Sequence, residues 1–481
     1  MKKAMYLLIA LMMLFLCTCS KDEGFLSDSS RQDDLLKKTQ TKGAVFTVSP
    51  NGVNDTQTII DAFDNAKAAG HGSVVQLAEG LFKISFIEIR DFYGYFKGAG
   101  KDKTKVMNLD VMPPTGDYFA NNCAPFLVSF VGGDVNVSKM TFATTDGKIV
   151  PDDLFYGFLE SLLNFADYTG QYVPPHRFVK GVVEDVDFIG GNFEGTNSLG
   201  TDHNVGMSVY IGSNIWTYGP DHPYGSIDVT IRNCVFDHVA IGPDCFLLGE
   251  NSVIVMENIA TKRVSYDLWV GGSHGCKVII RGNQFYDSPQ GTYFDDGDYG
   301  YFPSYIPLKK RSEFYISGNY FERESESTIL SLFDNRRIQY PDEGSPQLFD
   351  IKGNTFITQE GGIAIYGFNN VDAKIWNNKF TGTGSFGVWI DGDATTGTWA
   401  ENNSLIGNNF FDATYTDATV YLGPYSMKCK VVGVASDQVV DDGTNNSVIG
   451  TKAQKKGVQS GQYLQNNSRN AHEKLMRRGR L

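Results

Sequence analysis

Ile280-Arg281-Gly282-Asn283-Gln284-Phe285 returns as Ile316-Ser317-Gly318-Asn319-Tyr320-Phe321, Ile351-Lys352-Gly353-Asn354-Thr355-Phe356, Ile375-Trp376-Asn377-Asn378-Lys379-Phe380 and Leu405-Ile406-Gly407-Asn408-Asn409-Phe410. Looser copies stand at Val255-Met256-Glu257-Asn258 and Ile231-Arg232-Asn233-Cys234-Val235-Phe236, and Met140-Thr141-Phe142 and Val186-Asp187-Phe188 end comparable strands. Asparagines 258, 283, 319, 354, 378 and 408 lie 25, 36, 35, 24 and 30 residues apart. A base period near 25 with insertions marks a solenoid. Each phrase joins an alternating strand to Gly or Asn and then to an aromatic. Asn tolerates the left-handed conformation that turns a coil sharply, and stacked amides hydrogen-bond from one turn to the next. The Phe that follows stacks along the interior.

A second strand follows each phrase: Asp244 to Gly249, Tyr266 to Gly271, Thr292 to Gly297, Thr328 to Asp334, Gly362 to Gly367, Gly387 to Gly392 and Ala418 to Gly423. Short strands stacked in register give a parallel β-helix. Roughly a dozen turns at about 4.8 Å each give a length of about 55 to 60 Å. Helical repeats of this length need a 3.6-residue period, which these β-branched, glycine-broken segments lack.

An open coil end exposes unpaired backbone and needs a cover. Asp55-Thr56-Gln57-Thr58 leads into Ile59, Ile60, Phe63 and Ala66 at helical spacing, then Gly70, Gly72 and the strand Ser73 to Leu77. With the turn Ala78-Glu79-Gly80 and Gly98 to Thr104, this stretch resembles the amphipathic cap and first coil of the pectate-lyase-like superfamily. That resemblance covers residues 44–451 and implies a right-handed parallel β-helix with an N-terminal capping helix, acting on polysaccharide. Polygalacturonases of this fold carry Asn-Thr-Asp, Asp-Asp and Gly-His-Gly in order. Here Gly200-Thr201-Asp202 lacks the Asn, Ser273-His274-Gly275 lacks the leading Gly, and Asp295-Asp296 follows the histidine. The order therefore departs from theirs.

Residues 1–18 read as a signal peptide: Lys2 and Lys3 precede an apolar run from Ala4 to Leu16, too short to span a bilayer. Leu16-Cys17-Thr18-Cys19 resembles a bacterial lipobox, implying acylation at Cys19, with Cys17 as the alternative. Ser20-Lys21-Asp22-Glu23 is similar to the signal that sends Bacteroidota-type lipoproteins to the outer face of the outer membrane. The expected product is a surface-exposed lipoprotein with a polar tether over residues 19–43 and a basic, polar tail over 452–481. Its membrane contact is the lipid anchor alone.

The chain of 481 residues has 52 glycines, 41% hydrophobic residues and only 20% charged ones, a balance that favours turns and strands. Its net charge of −13 becomes −15 without Lys2 and Lys3, and the tail holds eight Lys or Arg against one acid. The body is thus acidic, which argues against nucleic acid as a partner. Cys123, Cys234, Cys245, Cys276 and Cys429 are odd in number and irregularly spaced, so they read as small core residues rather than disulfides or a zinc site.

The long intervals place extra loops at Asp298 to Arg311 and Arg336 to Gln347, with longer insertions at Ala143 to His176 and Gly190 to Gly225; such loops wall a groove. Superposing the second strands on their terminal glycines puts Val209, Ile211, Phe246, Leu248, Leu268 and Val270 inward. The opposite parity carries Tyr210, Trp269 and Tyr293 beside Asp267 and Asp295, a face suited to sugars, which stack on rings and bond to carboxylates. Asp295 and Asp296 are candidate acid and base for glycoside hydrolysis, and His274 a candidate proton carrier. Asp298 extends the cluster toward a calcium site. Elimination chemistry needs a cation, for which Arg336 is a candidate, as are Lys277, Arg281 and Arg337. The function expected is binding or processing of polysaccharide by a lyase or glycoside hydrolase, the alternative being a non-catalytic glycan-binding or adhesive protein. Oligomeric state is not legible.

Overall fold

The computed structural model describes residues 43–113, 126–149, 159–167, 178–193, 201–212, 226–272, 275–295, 310–323, 326–339 and 347–450. They form a single 31-stranded sheet, wound as a β-helix, in which every strand pairing is parallel. Each full coil contributes a strand to three faces. One coil, for example, is Lys277–Arg281, Gln284–Tyr286 and Gly291–Asp295, which pair respectively with Ser312–Ser317, Tyr320–Glu322 and Thr328–Phe333 of the next. We call these the first, second and third faces. Among the described residues no helix is long and apolar enough to cross a membrane.

The corner between the first two faces explains the repeat. Gly282, Gly318, Gly353 and Gly407 adopt φ between 62° and 65°, the region that costs glycine least, and Asn377 takes the same place at φ 53°. The asparagine after each turns into the bore. Asn319 Nδ2 donates to Asn354 Oδ1 at 2.9 Å, Asn354 Nδ2 to Asn378 Oδ1 at 3.0 Å and Asn378 Nδ2 to Asn408 Oδ1 at 3.1 Å. The same oxygens accept the backbone N–H of the preceding rung, and each Nδ2 also donates to a carbonyl at the end of a first-face strand, as Asn354 does to Ile316 at 2.9 Å. All these buried groups are therefore paired.

One expected member falls elsewhere. Ile259, not Asn258, aligns with Asn283, and its N–H donates to Asn283 Oδ1. Asn258 is exposed and occupies the turn position at φ 52°, bonded to Asn233 one coil back. The true interval between these two rungs is therefore 24 residues rather than 25.

Behind the ladder the phenylalanines stack as expected. Phe142–Phe188 and Phe188–Phe236 centroids lie 5.5 and 5.2 Å apart, and Phe285, Phe321, Phe356, Phe380 and Phe410 follow at 4.9, 5.0, 5.1 and 4.3 Å. Thr261 interrupts the column between Phe236 and Phe285. Its hydroxyl donates to Asp267, which pairs with Arg323, both side chains being fully buried. The smaller threonine leaves room for this interior ion pair. The described cysteines 234, 245, 276 and 429 are free and buried.

The N-terminal cover is α1 (Thr56–Ala69), which buries Ile59, Ala62, Phe63 and Ala66. Phe63 closes the bore against Phe92 and Phe96 at 5.0 and 5.1 Å. Asp55 ties this end down by accepting the N–H groups of Asn51 and Lys83 at 2.7 and 3.1 Å.

Asn354→Ala would strip Asn319 N–H, its Nδ2 and the Ile316 carbonyl of a buried partner. At roughly 1–3 kcal/mol per unpaired group, partly relieved by relaxation, a loss of about 3 kcal/mol or more is expected. Asn258→Gly, at the exposed turn, is expected to change stability by less than about 1 kcal/mol. Denaturant melts of the two variants check this; equal losses would contradict the ladder's role.

Candidate functional site

On the third face the pairing register aligns one outward column: Asn164, Tyr210, Asp244, Trp269, Tyr293, Ser331, Tyr366, Trp389 and Tyr421. The second strand containing Asp244 runs from Ile241 to Phe246. Counting back from Gly249 therefore misplaced it by three residues, an odd shift that reverses the parity. Cys245 lies in the core beside Ile211 and Val270, while Phe246 is half-buried beside Gly212 and Gly271.

From Trp269 onward most of the column is a second apolar cluster rather than an open platform. Trp269, Tyr293, Phe333, Tyr366, Trp389 and Tyr421 follow one another at centroid distances of 5.3, 5.2, 5.4, 4.9 and 5.6 Å. Tyr293 and Tyr210 are buried, contrary to the outward sugar platform expected of them, because Trp269 packs edge to face on Tyr293 and Phe126 stacks on Tyr210. Trp269 is half-buried.

The other expected residues divide. Asp267 does not face outward: a bulge between Tyr266 and Leu268 breaks the alternation and turns its carboxylate into the ion pair with Arg323. Asp295 does lie outward but is fully buried, accepting Asn335 Nδ2 at 2.9 Å and the Tyr293 hydroxyl at 3.1 Å. Arg336 begins a single helical turn and is 2% exposed, not a cation open to solvent. Asp296, Asp298, His274 and Cys19 lie outside the described residues. Among the described residues no group of three His, Cys, Asp or Glu side chains is placed to hold a metal.

The register brings forward residues the sequence reading passed over. Asp244 is 5% exposed, and its Oδ1 has no hydrogen-bond partner among the described residues. Burial and the nearby Glu160 carboxyl push its pKa well above the ordinary carboxylate range. Glu160, at the start of the strand Leu159–Ala166, is raised by desolvation to about 7. Trp269 Nε1, Asn164 Oδ1 and Asn335 Oδ1 are likewise buried without a partner among the described residues. Tyr210, between Asn164 and Asp244, has its hydroxyl pKa raised by burial and by Asp244, Glu160 and Asp167. Two carboxyls that influence one another electrostatically and resist ionisation can exchange protons with a ligand, Glu160 at about pH 7.

A separate concavity of 540 Å³ lies over the corner between the first and second faces, lined by Glu184, Arg232, Glu257 and Arg281 among others. Its charges are neutralised within it, Arg232 on Glu184 at 2.9 Å and Arg281 on Glu257 at 2.5 Å.

The architecture defines the class: residues 213–452 match the family model described as right handed beta helix region, and the chain is a right-handed parallel β-helix protein. Among solved structures it is similar to the DFA-IIIase from Arthrobacter chlorophenolicus without its lid, at 11% identity and a TM-score of 0.53, over 86% of this chain and 100% of that one. It is also similar to the A-module of a mannuronan C-5 epimerase from Azotobacter vinelandii, at 13% identity and a TM-score of 0.46, over 88% and 99% of the two chains. An alginate lyase from a Paenibacillus species aligns at 11% identity and a TM-score of 0.40, over 79% and 98%. At such identities the likeness is one of fold. No curated protein matches the chain.

Glu160 offers a check on the site's electrostatics. Its pKa is higher folded than unfolded, so its contribution to stability is present below about pH 4.5 and is lost as pH rises to about 7. Glu160→Gln should remove that decline, on the order of 1–3 kcal/mol for a half-buried residue. Thermal melts of wild type and variant from pH 4 to 8 measure it; parallel curves would show the carboxyl to be ordinarily solvated.

Proposed function

We propose that the chain binds and cleaves carbohydrate on its third face, with Asp244 as general acid and Glu160 as general base. The observation that carries this reading is the set of buried polar atoms on one outward surface that lack partners among the described residues: Asn164 Oδ1, Asp244 Oδ1 and Trp269 Nε1. Folded proteins pair the large majority of such groups, and a cluster of exceptions on one surface calls for an explanation, here a ligand that supplies the missing bonds. A sugar fits the need, because its hydroxyls donate to Asp244 and Asn164 and accept from the Trp269 indole while a ring face lies against the half-buried Trp269.

Burial and the nearby Glu160 raise the pKa of Asp244 well above the ordinary carboxylate range, which favours the protonated form that gives its proton to the glycosidic oxygen as the bond to the anomeric carbon breaks. Glu160, ionising at about 7, takes the proton of the water that completes the hydrolysis. The fold, shared with the DFA-IIIase at a TM-score of 0.53, accommodates such a surface. Export and acylation at Cys19 are part of the same proposal and place the site outside the cell. Fatty-acid labelling that persists in Cys19→Ala would remove the anchor from it.

Reducing-end release from a polysaccharide panel is the direct assay. Asp244→Asn is expected to lower activity about 10²- to 10⁴-fold, while keeping or raising thermal stability because a desolvated carboxyl is removed. The acid limb of the wild-type pH profile should have its midpoint at about 7. Full activity in Asp244→Asn would refute the assignment. Binding lost in Trp269→Ala, with no cleavage of any glycan by wild type, would favour a non-catalytic binder.

A further inference from the structure

The direction of the unpaired hydrogen bonds on the third face identifies the kind of sugar it takes, provided that the carbohydrate reading above holds. Asn335 is 2% exposed and donates Nδ2 to the Asp295 carboxylate at 2.9 Å. A flipped amide would set Oδ1 against that carboxylate oxygen, so the partner fixes the orientation and leaves Oδ1, an acceptor, without a partner among the described residues. Asp295 itself is saturated from this side by Asn335 and the Tyr293 hydroxyl. Asp244 Oδ1, three rungs away through Trp269, Tyr293 and Ser331, likewise has no partner among the described residues. Trp269 Nε1, between them, is a neutral donor without a partner among the described residues, as is Trp389 Nε1 farther along the column.

Among the described residues the cations around this face have their charges paired, Arg323 with buried Asp267 and Arg337 with Glu401 at 3.5 Å, while the Nε of each has no hydrogen-bond partner there. Arg336 is buried and has interactions of its own. A carboxylate on the ligand would meet the acceptor oxygen of Asn335 beside the buried Asp295 carboxyl in a dehydrated setting, where a charge without a counter-ion is costly. The net charge of −13 adds to the repulsion at long range.

We infer that this face selects an uncharged, hydroxyl-rich glycan and rejects polyuronates. Hydroxyls at both ends of a segment about 14 Å long, three rungs at about 4.8 Å, satisfy Asp244 and Asn335 together. Asn335 is thus a specificity residue, touching a sugar away from the reacting bond, and Asp295 positions it.

Titration calorimetry of the full chain at pH 7 with two series of hexasaccharides tests this. The neutral series comes from glucan, mannan, xylan and fructan; the charged series comes from mannuronan and polygalacturonate. At least one neutral ligand is expected to bind, with every uronate weaker by about tenfold or more. Asn335→Leu should weaken the neutral ligand about tenfold. Asn335→Ser, whose shorter hydroxyl can turn its proton to Asp295 but puts no acceptor at the Oδ1 position, should do the same and serves if the leucine variant fails to fold. A uronate that binds as tightly as the best neutral ligand, or unchanged neutral affinity in a folded Asn335 variant, would overturn the inference alone. Silence from both series would instead remove the proposed function beneath it.

Discussion

The amide ladder from Asn283 to Asn408 is the constraint on which the rest of the chain depends. Parallel strands bond evenly at any register, so the backbone by itself does not say which residue lies above which. A buried amide does. Each Oδ1 accepts from the backbone N–H of one particular residue on the preceding rung, and a slip by one residue would leave two donors and a carbonyl unpaired in the bore. The ladder fixes the corner, the corner fixes the phenylalanine stack behind it, and insertions of ten or more residues are absorbed without shifting either.

That rigidity lets the third face be costly. A frame held by paired amides and stacked rings tolerates a buried carboxyl at Asp244, a half-buried one at Glu160, and polar atoms at Asn164 and Trp269 that have no partner among the described residues. Close by, the chain pairs two of the carboxylates it buries: Asp267 meets Arg323 and Thr261, and Asp295 meets Asn335 and Tyr293. The amides of the ladder are satisfied by the coil, and the groups around Asp244 are the ones we assign to a ligand.

Much of the coil was legible because its signals are local. Gly or Asn at a left-handed turn, the amide after it and the following Phe recur whatever lies between them, and α1 shows helical spacing at Ile59, Phe63 and Ala66. Local signals also misled. Asn258 has the right type and nearly the right spacing, yet it serves the turn, because a left-handed position accepts Asn as readily as Gly. The sugar-facing parity was counted from glycines, and a strand ending at Phe246 rather than Gly249 moved Asp244 out of sight. A bulge at Asp267 reversed that residue's direction. No one-dimensional pattern carries a bulge, the desolvation of Glu160, or the choice of which end of the Asn335 amide is already spent. Such properties arise only when neighbouring rungs are in place.

The central claim, that the ligand belongs where polar groups are buried without partners, is tested most directly by a crystal structure of Asp244→Asn with a neutral oligosaccharide bound. The account expects the sugar on the third face, its hydroxyls bonded to residue 244 and to Asn335 Oδ1 and a ring face against Trp269. An oligosaccharide seated instead in the 540 Å³ concavity beside Arg232 and Arg281, with the third face bare, would contradict it.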